Sequence, residues 1–182
     1  MERLFAEHPE YFPEIRGERM FGWRSNDPNP CVSNGALLDL MASNLCVRLE
    51  RPHALDHDII ILFNDTSLWC ECEECKTLDA SELSNTRGAH SDRYWYTLME
   101  LQKRVRRRFP SARIGGTPYL DTWYPLARVA VPSDTPVKIS FNNQCWRHAV
   151  DDPTCTVNEG LRKTYRLWRE AGFENLPNRD EI

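Results

Sequence analysis

Three cysteines stand almost side by side in the run Trp69-Cys70-Glu71-Cys72-Glu73-Glu74-Cys75, a C-x-C-x-x-C pattern too dense for three unrelated packing residues. Their thiolates are one ligand short of a closed tetrahedral zinc site, and Cys155, Cys145 or His148 is the candidate for the fourth. The expected cofactor is therefore a structural zinc held by Cys70, Cys72, Cys75 and Cys155. A disulfide from this loop to Cys145 or Cys155 is the rival, and it wins in an oxidising compartment. In either form the cysteines are expected to tie together two distant loops and so brace the wall of a pocket. Cys31 is read onto the same face, and Cys46 as helix packing. Cys145 and His148 have the types of a nucleophile and its base but no orienting third group.

The cysteine loop leaves an apolar run, Ile59 to Phe63, that is too short for a helix and rich in branched side chains, which predicts a strand buried on both faces. Asn64 and Asp65 follow at once, and the carboxyl ends of parallel strands are where ligands and catalytic groups gather. A second strand is expected over 112–117. It ends in Gly115-Gly116, where backbone can come close to a ligand or a neighbour. A third is expected over 137–141, followed by the polar burst Asn142-Asn143-Gln144-Cys145-Trp146-Arg147-His148.

Helices are predicted before, between and after these strands. One is capped by Ser33, carries Leu37, Leu38, Met41, Leu45 and Leu49, and is ended by Pro52. Another is capped by Ser91, with Tyr94, Leu98, Leu101, Val105 and Phe109 as its apolar stripe, and stops at Pro110. The last carries Leu161, Tyr165 and Trp168, with Gly172 after it. A hairpin-like turn is expected at Gly17. Crossovers this long keep the strands parallel, so the class is α/β with every polar burst at a strand's carboxyl end.

At 182 residues and 41% hydrophobic, the chain fits a single domain, 1–182, with a core of its own. A net charge of −4 gives no overall pull towards nucleic acid or anionic membrane. Lys103, Arg104, Arg106, Arg107 and Arg108 are read as a solvated helix end whose cations complement the helix dipole, so no nucleic-acid partner is expected. No run approaches the about 20 apolar residues that span a bilayer, so no membrane insertion is expected. The N-terminus lacks the apolar core of a signal peptide. The chain reads as soluble, with a secreted or periplasmic location of the full-length protein left open. Seven cysteines do not choose between compartments.

With the elements placed, H-P-E-Y-F, S-N-G-A-L-L-D-L, F-N-D-T-S-L-W-C-E-C-E-E-C-K-T-L-D-A, S-D-R-Y-W and R-H-A-V-D-D-P-T-C-T-V-N resemble the bacterial domain-of-unknown-function family 4838, in consistent order from His8 to Phe173. The resemblance implies a (β/α)8 barrel akin to glycoside hydrolases, of hexosaminidase and α-glucuronidase type. A full barrel takes about 250 residues, so the expected fold is a partial (incomplete) (β/α)8 TIM-type barrel with parallel strands, a fragment from the middle of the barrel. The remainder is expected in the full-length chain.

On that reading the partner is a carbohydrate or glycan substrate, and Asp65 is the candidate general acid that protonates the leaving oxygen. Barrels of this type place an acidic pair at a comparable strand end. This chain has Asn64-Asp65 there, with Asp121 or Asp151 as candidates for a second carboxylate. The bland alternative has Asp65 bonding backbone amides of its own loop. Trp69, Tyr119, Trp123 and Trp146 fall just past strand ends, where rings could stack on sugars or simply pack. Asn142, Asn143, Arg147 and His148 are candidates for hydroxyl or carboxylate binding. Two functions follow: a glycoside hydrolase-like enzyme, or a non-catalytic glycan-binding barrel domain.

Overall fold

The computed structural model describes residues 2–22, 27–140 and 144–173. It contains helix α1 (Glu2–Glu7), a hairpin of β1 (Glu14–Ile15) and β2 (Glu18–Arg19), helix α2 (Gly35–Leu49), strand β3 (Ile59–Ile61), the single turn α3 (Glu73–Lys76), helix α4 (Ser91–Val105), strand β4 (Ile114–Gly116) and helix α5 (Glu159–Glu170). Strand β3 pairs with β4 in parallel, Ile59 opposite Ile114 and Ile61 opposite Gly116. The third expected strand is reduced to a parallel bridge between Gly116 and Val137, held by Gly116 N–H to Pro136 O at 3.0 Å and Lys138 N–H to Gly116 O at 2.9 Å. The class is α/β as expected, and no barrel closes among the described residues.

Helix α4 organises the core, because its sequence S-D-R-Y-W assigns each side chain a separate task. Tyr94, Trp95, Leu98, Leu101 and Val105 are all buried and meet α2 through Leu38, Ala42 and Leu49. The Asp92 carboxylate accepts the backbone N–H groups of Ala127, Arg128 and Val129 at 2.8, 2.7 and 2.8 Å, which anchors the irregular segment after β4. Tyr94 donates its hydroxyl to Ile61 O at 2.6 Å and accepts Thr117 N–H at 2.8 Å, so it ties the carboxyl ends of β3 and β4 together. Its burial drives the phenol well above its ordinary pKa, leaving it neutral and able to donate.

Glycine at β4 is a requirement of packing. A Cβ on Gly116 would lie 2.6 Å from Leu98 Cδ1, and one on Gly115 would lie 2.6 Å from Pro136 Cβ. The close approach expected at Gly115-Gly116 is thus to a neighbour. In the hairpin, Arg16 (φ 54°) and Gly17 (φ 83°) take the two left-handed positions that a two-residue loop needs.

Several expected details are corrected. Strand β3 is half-buried along its length and Leu62 beyond it is 63% exposed, because no strand lies on the other edge of β3 among the described residues. Asn34, not Ser33, caps α2, its Oδ1 accepting Leu37 N–H at 3.0 Å, since the Ser33 hydroxyl is turned to the cysteines. His90 occupies the start of α4, while Ser91 Oγ donates to Tyr124 O at 2.5 Å. The basic helix end needs no such correction: Lys103, Arg106, Arg107 and Arg108 are exposed, and Arg104 bonds Asp39 at 2.7 Å, Arg106 bonds Ala112 O at 2.9 Å and Arg108 pairs with Glu50 at 2.5 Å at the surface.

Candidate metal centre

Local structure explains why the C-x-C-x-x-C sulfurs converge. Cys70 and Cys72 are alternate residues of an extended stretch, which puts them on one side. Cys72 and Cys75 are then three apart across the first turn of α3, which again puts them on one face. The fourth sulfur comes from Cys31, on the segment leading into α2. Sγ of Cys31 lies 3.7 Å from that of Cys72 and 3.9 Å from that of Cys75. All four sulfurs fall within 4.8 Å of one another, and all four residues are buried. Val32, Phe63 and Leu78 close over them.

Polar groups converge on the same sulfurs. Glu14 N–H donates to Cys70 Sγ at 3.3 Å, and Arg19 Nη1 approaches it at 3.6 Å. Cys75 Sγ donates to Ser33 Oγ at 3.2 Å. Hydrogen bonding from Cys70 and Cys75 drives the Cys31 thiol far down, while sharing with Cys31 pushes Cys70 up to about 11 and Cys75 further upward. The group thus competes for its protons, with one sulfur preferring to be the thiolate. Such a donor set can hold a metal ion.

This arrangement corrects the expected partner of the triplet. Cys155 does not supply the fourth sulfur; it gathers with Cys145 and His148 in a second group whose ligand atoms lie within 4.8 Å of one another. The reason is the closure of their own loop: the buried Asn158 accepts Cys145 N–H at 2.7 Å and donates to His148 O and Ala149 O at 3.3 and 3.1 Å. The bracing therefore joins the loop after β3 to the N-terminal segment and the β1–β2 hairpin. Cys31 was legible only as a cysteine on the same face, since the roughly forty residues between it and Cys70 carry no spacing signal. All seven cysteines are unpaired thiols.

Beneath the cluster lies an ion pair that the sequence reading missed. The Arg93 guanidinium is 1% exposed, bonds Asp79 Oδ1 through Nε at 3.0 Å and Oδ2 through Nη2, and donates Nη1 to Cys70 O at 2.7 Å. His90 Nδ1 meets the same Asp79 carboxylate at 3.1 Å. The signal was available in S-D-R-Y-W, where an arginine falls on the buried side of a helix.

The strand-end residues divide into groups. Asp65 is exposed. Its loop draws its hydrogen bonds from other side chains: Asn29 Oδ1 accepts Asn64 N–H at 2.9 Å and Thr66 Oγ1 accepts Leu68 N–H at 3.1 Å. Asn64 also donates Nδ2 to Pro28 O at 3.1 Å. Asn64, Tyr119 and Asp121 line one cleft at the ends of β3 and β4, but at 20 Å³ it has room for about one water molecule. Trp69 and Trp123 are core residues, 7% and 3% exposed. Trp69 packs on Phe63 and His90, and Trp123 lies under Arg87 and bonds Thr164. Of the two roles expected for them, packing is the one the structure gives, because both rings are buried. Trp146, by contrast, is 84% exposed, beside exposed Arg147 and His148. Asn142 and Asn143 lie outside the described residues.

No helix among the described residues is long and apolar enough to cross a membrane. Residues 1–159 match the family model described as Domain of unknown function (DUF4838). No curated protein and no solved structure matches the chain.

Proposed function

Because the chain belongs to the family described as Domain of unknown function (DUF4838), we propose that it forms part of a (β/α)8-type barrel in a carbohydrate-active protein of glycoside hydrolase type, with Asp65 as the general acid. The observation that carries this reading is the placement of Asp65. It stands exposed just beyond β3, in a loop where Asn29 and Thr66, rather than Asp65, accept the amides of Asn64 and Leu68. The half-buried outer edge of β3 supports the barrel. At the carboxyl end of that strand a cleft of 860 Å³ opens, lined by Ile61, Leu62, Phe63, Phe12, Leu37 and Met41, which leaves an apolar surface there for a further part of the chain.

A zinc ion in the four-cysteine site would hold the N-terminal segment against the loop that carries Asp65. In tetrahedral zinc thiolate, Zn–S bonds of about 2.3 Å give sulfur–sulfur edges of about 3.8 Å. Cys31 stands 3.7 and 3.9 Å from Cys72 and Cys75. Two disulfides would instead draw the sulfurs into two short pairs of about 2.05 Å. Zinc here is structural, since four buried protein ligands leave no position for substrate.

Trp146 favours a second reading, a non-catalytic glycan-binding barrel, because its 84% exposed ring is free to stack on a sugar. One experiment separates the two. Asp65→Asn in the full-length protein is expected to abolish turnover of aryl glycosides while leaving sugar affinity nearly unchanged, a loss of at least about a hundredfold for a missing general acid. Turnover that survives the substitution would remove Asp65 from this role, and sugar binding without turnover in the unaltered protein would leave the glycan-binding reading.

A further inference from the structure

We infer that Cys145, His148 and Cys155 form a second zinc site, distinct from the four-cysteine centre, with three protein ligands and a fourth position open to solvent. Cys145 and His148 are three residues apart on one turn, and Sγ of the first lies 3.2 Å from Nδ1 of the second. That separation is within a few tenths of an ångström of the edge of about 3.6 Å between sulfur and nitrogen in a tetrahedral zinc site. Cys155 contributes a buried sulfur from the far side of the loop, and the three ligand atoms lie within 4.8 Å of one another.

The loop that presents them is built rather than loose. The carboxamide of Asn158, fully buried, fastens both ends of the Cys145–Ala149 turn. Asp152 Oδ1 accepts Thr154 N–H at 2.8 Å, and Cys155 N–H reaches Asp152 O at 3.2 Å. Arg162 Nη1, from α5, donates to Asp152 O at 2.6 Å. The backbone at Cys145, His148 and Cys155 is therefore tied by hydrogen bonds of the protein itself, which lowers the ordering cost of binding.

The two groups differ in what they leave open. The four-cysteine centre is enclosed, whereas here only Cys155 is buried and His148 lies exposed on the rim of a cleft of 510 Å³. A soft divalent cation suits two sulfurs and an imidazole. Water completes the sphere on the cleft side, the coordination of catalytic rather than structural zinc. A Cys145–His148 nucleophile would not explain why a second cysteine is brought to the same point.

The test counts metal on the whole protein, purified under reducing conditions and equilibrated with Zn²⁺. Two zinc ions per chain are expected. His148→Ala, a surface change that leaves the core untouched, should weaken the second ion at least tenfold in competition with a chelator, and Cys72→Ser should release the other. With Co²⁺ as the probe, His148→Ala should remove the weaker thiolate charge-transfer band and keep that of the four-cysteine centre. If the unaltered protein instead binds one zinc and His148→Ala retains it, this site is overturned and the four-cysteine centre is left standing. A single zinc lost in His148→Ala but kept in Cys72→Ser supports it and overturns the four-cysteine centre instead. A Cys145–Cys155 disulfide in the reduced preparation, with no second zinc, also overturns it.

Discussion

At the scale of single residues, Tyr94 shows how one atom can decide whether two strands stay together. Its hydroxyl donates to Ile61 O and accepts from Thr117 N–H, at the carboxyl ends of β3 and β4 where the sheet would otherwise splay. Replacing Tyr94 by Phe keeps the ring in the core but leaves a buried carbonyl and a buried amide without this partner. The expected loss is about 1–3 kcal/mol of stability, read from urea denaturation with an unchanged slope. Arg93 works by the same logic with charge. Its guanidinium spans Asp79 and the carbonyl of Cys70, so the backbone entering the cysteine loop is positioned from α4, a helix some twenty residues further on.

At the scale of elements, β4 is packed too closely on both sides to admit a Cβ. Gly115 lies against Pro136 on one side and Gly116 against Tyr94 and Leu98 on the other. Alanine at position 116 would have to displace the Leu98 side chain and the Tyr94 hydroxyl together. Gly116→Ala is expected to cost about 1–3 kcal/mol, with the midpoint of thermal unfolding lowered in proportion. Alanine at Gly160, on α5, where a Cβ would meet nothing within 4 Å, is the control and should be neutral or slightly stabilising.

At the scale of the whole molecule, the four-cysteine centre joins pieces that the helices and sheet do not. Around it Glu71 N–H bonds Glu14 O at 2.7 Å and Asn29 N–H bonds Leu68 O at 2.8 Å, while Cys31 N–H bonds Tyr11 O at 3.1 Å, so the hairpin and the segment before α2 meet the loop after β3 through hydrogen bonds and the cysteines rather than through a shared sheet. Zinc binding would be folding energy for these contacts. Chelation of the metal is therefore expected to speed amide hydrogen exchange at Glu14, Asn29, Cys31 and Glu71 by at least tenfold, while the α4 amides of Leu98 and Leu101 remain protected. Uniform loss of protection through α4 would show that the ion supports the entire core instead.

The sequence by itself determined the α/β class, the Gly17 hairpin, the three main helices to within a few residues and the parallel pairing of β3 with β4. Those features rest on local periodicity, on proline and glycine, and on short apolar runs, all of which act over neighbouring residues. It also marked Cys70, Cys72 and Cys75 as one group, because three cysteines within six residues are too dense for unrelated packing. Only the tertiary structure decided which sulfur joins them. Cys31 and Cys155 are equally plausible by type, and the choice depends on how Asn158 closes one loop and how Asn29 carries another across Asn64 and Leu68. The same limit applies to the aromatic residues. Trp69, Trp123 and Trp146 all follow strand ends in sequence, yet two are packed in the core and one is 84% exposed, because burial depends on what arrives from elsewhere in the chain.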